Sequence, residues 1–70
     1  VSVHYYTLIE RRGGVWSAQF GDYDRDVVSE EMADYKAAWN KAEAHRIIRT
    51  PADDPGAIVA EIAKRNGGAK

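Results

Sequence analysis

Apolar and polar side chains alternate from residue 3 to residue 20, on both sides of a Gly13-Gly14 pair. Two runs rich in Val, Tyr, Ile and Trp flank Arg11-Arg12-Gly13-Gly14 and predict a β-hairpin, because paired glycines accept the positive φ angles of a tight two-residue turn. With the turn there, Arg12 faces Val15, Arg11 faces Trp16, Ile9 faces Ala18, Thr7 faces Phe20 and Tyr5 faces Asp22. One face then carries Val3, Tyr5, Thr7, Ile9, Trp16, Ala18 and Phe20. The other carries His4, Tyr6, Leu8, Glu10, Val15, Ser17 and Gln19. The first is the expected core face.

Beyond Gly21-Asp22-Tyr23-Asp24 the period changes from two to that of a helix. Val28, Met32, Tyr35 and Trp39 recur at helical spacing with Val27 alongside, which predicts an amphipathic helix over about residues 25–38, N-capped by Asp24 and laid on the hairpin. Residues 40–44 read as a short connection. His45-Arg46-Ile47-Ile48-Arg49-Thr50 reads as a third strand, stopped by Pro51. A right-handed crossover places that strand beside the first, in the order 2-1-3 with antiparallel neighbours. Pro51-Ala52-Asp53-Asp54-Pro55 is a helix start with Asp53 or Asp54 as cap. Ile58 and Ile62 form the buried stripe, and Asn66-Gly67-Gly68 ends the helix, leaving Ala69-Lys70 to fray. The expectation is one α+β domain, ββαβα, over residues 1–70: a three-stranded antiparallel sheet, the first helix against one face and the second packed nearby.

Seventy residues leave room for one core only, and the 44% hydrophobic content has to be concentrated there. The formal net charge of −1 gives no general attraction to nucleic acid or anionic membrane. With no cysteine there is no disulfide framework, thiolate metal site or cysteine nucleophile. No apolar run approaches the roughly 18 residues of a membrane span and no leader pattern opens the chain, so a soluble cytoplasmic protein with no membrane partner is expected.

Candidate chemistry is sparse. Asp22, Asp24 and Asp26 alternate like the start of a calcium loop, but Val27 and Ala33 stand where that loop needs Gly and Glu, so capping accounts for the aspartates and no metal is expected. His4 and His45 lack spacing that promises a third ligand or an orienting carboxylate. The five Ser and Thr hydroxyls lie outside any nucleophile elbow, and neither Gly-Gly pair sits between a strand and a helix as a phosphate cradle would. Neither a catalytic residue nor a cofactor is therefore expected.

Two charged surfaces remain. Asp22, Asp24, Asp26, Glu30, Glu31 and Asp34 put six carboxylates within thirteen residues, from which Asp26, Glu30 and Asp34 form a candidate acidic interaction surface for an unknown protein partner. Arg11 and Arg12 at the hairpin tip, with Arg46 and Arg49 on the third strand, form a candidate basic surface; with Tyr6 on an open sheet face they would suit a nucleic-acid strand. A homodimer through the face carrying Tyr6 and Leu8 is the competing use of that face.

Trp16-Ser17-Ala18-Gln19-Phe20-Gly21-Asp22-Tyr23-Asp24-Arg25, with Tyr5-Tyr6-Thr7-Leu8 before it and Glu30-Glu31 and Asp34-Tyr35 after it, resembles small uncharacterised proteins encoded by phages and prophages of proteobacteria. The similarity runs over about residues 4–62. It implies an accessory or regulatory protein in a bacterial cytoplasm and carries no activity to any residue; the lack of catalytic motifs adds the expectation of a non-catalytic protein acting by protein–protein contact. Ala18-Gln19-Phe20-Gly21-Asp22-Tyr23 before a helix also resembles the strand-to-helix segment of SPOR domains, which bind peptidoglycan glycan strands. Those domains consist of two β-α-β halves, whereas here a hairpin precedes the segment and one such unit occurs.

Overall fold

The computed structural model describes residues 3–38 and 42–67. Its elements follow the expected order: β1 (His4–Arg12), β2 (Val15–Asp22), α1 (Arg25–Ala37), β3 (Ala44–Pro51) and α2 (Gly56–Arg65). Gly13 and Gly14 hold φ angles of 57° and 80°. Positive φ at both centres gives the turn whose twist matches the strands, so the hairpin closes with Arg12 opposite Val15. β3 adds to the other side of β1 with Thr7 opposite Ile48 and Glu10 opposite His45, giving an antiparallel sheet of order β2-β1-β3.

The expected hairpin register holds near the turn and then slips. Arg11 lies opposite Trp16 and Ile9 opposite Ala18, but Leu8 faces Phe20 and Thr7 faces Gly21, leaving Gln19 as an extra residue on β2. The expected Thr7–Phe20 and Tyr5–Asp22 pairs do not form, and Phe20 joins Leu8 on the face opposite Trp16. The slip also brings Gly21 under the Tyr5 ring. A Cβ at Gly21 would stand 2.5 Å from the Tyr5 hydroxyl oxygen, so the ring occupies room that only glycine leaves.

Thr7, Leu8, Ile9 and Glu10 are consecutive and all buried. A strand with one wet face buries alternate residues; four in succession need cover on both faces. α1 supplies it on the side of Leu8 and Glu10, where the Tyr35 ring meets His45 edge-on at 6.3 Å. α2 supplies it on the side of Thr7 and Ile9, where its C-terminal end meets Trp16. This corrects the single core face expected from alternation: Leu8, placed on the open face, is 0% exposed, as are Ile9 on the other face and Val28 of α1. Val3 and Ala18, expected inside, are exposed, while Trp16 and Phe20 are half-buried, because β2 is an edge strand. The case for a dimer through Leu8 goes with that correction.

The helix ends show the same mixture. Asp24 caps α1 as expected, its Oδ1 accepting the Asp26 N–H at 2.9 Å. At α2 neither Asp53 nor Asp54 caps through its side chain. Pro55 occupies the N-cap at φ −62°, already helical, and the Asp54 carbonyl accepts the Ala57 N–H. Gly67 ends α2 at φ 72°. The Asn66 amide closes the fold: Oδ1 accepts the Trp16 N–H at 2.7 Å and Nδ2 donates to the Trp16 carbonyl at 3.1 Å. It thus satisfies the outward N–H and C=O of Trp16 on the rim of β2 as a neighbouring strand would. Trp39, Asn40, Gly68 and the Ala69-Lys70 end lie outside the described residues.

Candidate functional site

Three groupings of polar side chains come out of this arrangement. The first is internal. Glu10 and His45 are cross-strand neighbours on the face under α1, with Glu10 Oε1 3.5 Å from His45 Nε2. Arg12, two residues along β1 and so on the same face, places its Nε 2.5 Å from Glu10 Oε2. A carboxylate beside an imidazole is an acid–base couple in principle. Both groups are buried, however, and the surface clefts lined by Tyr5, Tyr23, Pro51, Ala52, Pro55 and Ile58, and by Glu31, Asp34, Tyr35 and Ala38, include neither of them. The couple is a contact of the interior, fixing the β1–β3 register under α1. His4 is remote from it: His4 faces Pro51 at one end of the ladder and His45 faces Glu10 near the other, six strand positions or about 20 Å away.

The second grouping is the arginines, which the sheet divides. Arg11 and Arg46 lie on the α2 side, opposite Trp16 and Ile9, and Arg12 and Arg49 on the α1 side, opposite Val15 and Tyr6. Three of the four are engaged. Arg11 Nε is 3.0 Å from Glu43 Oε1, an oxygen that also accepts the Gly14 N–H at 3.2 Å and so braces the turn. The Arg11 guanidinium stands 5.6 Å from the centre of the Trp16 ring and that of Arg65 5.8 Å from it. Arg12 is held by Glu10, and Arg46 Nη1 donates to the His45 carbonyl at 2.7 Å. Arg49 is exposed and has no such contact among the described residues.

The third grouping is the acidic one. Asp26, Glu30 and Asp34 are all exposed and recur every fourth residue of α1, so they form one stripe on its solvent side. The aspartates before them have structural work: Asp22 Oδ1 accepts the Asp24 N–H at 2.8 Å and Asp24 Oδ1 accepts the Asp26 N–H, two successive turns that start α1.

No protein-family model, curated protein or solved structure matches the chain. The site is therefore described by its own geometry. Among the described residues no helix is long and apolar enough to cross a membrane. Among the contacts that sequence reasoning did not anticipate are the Glu10–His45 pair, the Glu43 brace and the Tyr5–Tyr23 meeting, where the ring centres are 5.0 Å apart at 81°. Glu10–His45 had a readable signal, since a carboxylate and an imidazole on strands expected to be neighbours invite pairing; the other two depend on the bulge and on loop geometry.

Proposed function

We propose that this is a non-catalytic binding protein of the phage accessory type, acting in a bacterial cytoplasm by presenting the acidic side of α1 to a basic protein partner. The observation that carries the reading is the stripe of Asp26, Glu30 and Asp34, exposed and free of ion pairs among the described residues. Carboxylates one helical turn apart are spaced by about 6 Å, inside the roughly 8 Å screening length of physiological salt, so an approaching basic surface meets them as a unit. Such a field speeds encounter and selects the sign of the partner. An inhibitor of a host defence or nucleic-acid enzyme, occupying that enzyme's basic groove, is the specific form of this reading. Nucleic-acid binding through Arg11, Arg12, Arg46 and Arg49 has less support, since those side chains point to two faces and three are held by other groups.

The test is affinity capture from bacterial lysate with the wild-type chain and with Asp26→Lys/Glu30→Lys/Asp34→Lys, whose circular dichroism should match. Proteins retained by the wild type should be lost from the variant and eluted by added salt. An identical set on both columns, or an empty wild-type column, refutes the reading.

A further inference from the structure

At the end of the sheet away from the hairpin turn, Tyr5, Tyr23, Pro51, Ala52, Pro55 and Ile58 line an open apolar cleft of about 310 Å³. Its floor is built from the fold. The Tyr5 ring lies over Gly21 and meets Tyr23 edge-to-face, a favoured aromatic geometry that fixes both rings. Tyr23, 64% exposed, lines the cleft, and the backbone beside it is tied down where the Val3 carbonyl accepts the Ala52 N–H at 3.0 Å.

The segment that joins two of the cleft's lining residues is acidic: Asp53 and Asp54 stand between Ala52 and Pro55. Asp53 and Asp54 are exposed and make no ion pair among the described residues.

We infer that this cleft receives an arginine-bearing extended segment of a partner protein. Its volume is at the small end of ligand clefts, suited to one or two side chains rather than a folded surface. An arginine matches it part by part: the aliphatic stem along Ile58 and the prolines, the guanidinium over a tyrosine face, and its planar edge toward the carboxylates of Asp53 and Asp54. Lysine fits less well, since its compact, strongly hydrated ammonium neither stacks nor bonds in a fork. The inference rests on the reading of the chain as a binder of a basic protein, but not on the α1 stripe.

The probe is the capped peptide acetyl-Ala-Arg-Leu-Arg-Ala-amide, titrated into the ¹⁵N-labelled full chain. Saturable shifts are expected at the amides of Tyr5, Tyr23, Ala52 and Ile58. Affinity should fall by roughly tenfold for Tyr23→Ala, for Asp53→Asn/Asp54→Asn, and when norleucine replaces both peptide arginines; all of these changes are at exposed positions that leave the core untouched. The Asp26→Lys/Glu30→Lys/Asp34→Lys chain should still show saturable shifts at the cleft, so failure of the helix stripe and failure of the cleft are read separately. Absence of saturable shifts at millimolar peptide, shifts confined to α1, or equal affinity for the norleucine peptide overturns the inference. So do cleft shifts that depend on protein concentration alone, which would assign the cleft to a second copy of this chain.

Discussion

Replacing Leu8 by Ala and, separately, Ile9 by Ala tests whether both faces of the sheet are interior. The two residues are adjacent, point to opposite sides and are each 0% exposed. Each substitution removes three buried carbons, a transfer loss of about 2.4 kcal/mol at ~0.8 kcal/mol per carbon, and the hole left beneath a helix brings the cost into the range of about 2–5 kcal/mol. At ~0.05–0.15 kcal/mol per residue a chain this short has roughly 3.5–10 kcal/mol to lose, so each variant gives up about a fifth of it or more. Urea unfolding followed by tryptophan fluorescence reads the difference: the midpoint should fall in both variants with little change in slope. Val15→Ala is the control, since Val15 is 56% exposed and its truncation should stay within about 0.5 kcal/mol of wild type. If one of the two core variants behaves like this control, its face is wet and the two-sided packing is wrong.

Two further experiments probe contacts that sequence reasoning did not anticipate. Asn66→Ala removes both bonds to the Trp16 backbone, costs about 1 kcal/mol, and should quicken amide exchange at Trp16; unchanged exchange would mean the clip does not protect that rim. For the Glu10–His45 pair, a double-mutant cycle with Glu10→Ala and His45→Ala should give a coupling of roughly 0.5–3 kcal/mol, because each single change strands a polar group in the interior; strict additivity would show that the 3.5 Å approach carries no energy.

The hairpin turn, the Asp24 cap, the strand order and the extent of α1 were all legible because each is decided locally or by chain handedness. The bulge was not. Gln19 has no special backbone preference, and the slip answers a tertiary demand, room for the Tyr5 ring over Gly21 and an aromatic beside Leu8. Missing it misassigned Phe20. Expecting α1 over the Ile9 face, when α1 lies over Leu8 and α2 covers the Ile9 side, left Leu8 on the outside, because an alternating strand with one apolar side reads as half-solvated even when a polar pair such as Glu10 and His45 is buried on the other. The acidic stripe was legible from spacing alone. The cleft was not, since Tyr5, Tyr23 and Ile58 belong to three separate segments that meet only after the sheet and both helices are in place.

The bond from Asn66 to Trp16 spans 50 positions, and this has a consequence for how the chain is made. At a ribosomal pace of about 5–20 residues per second, roughly 3–10 s separate the emergence of the tryptophan from that of the asparagine. During that interval the nascent hairpin presents bare N–H and C=O groups along β2, and an extended segment of a neighbouring nascent chain is able to dock there. Among the described residues, the charged hairpin tip, with Arg11 and Arg12, and the kink at Gln19 guard that rim until translation delivers the clasp at Trp16.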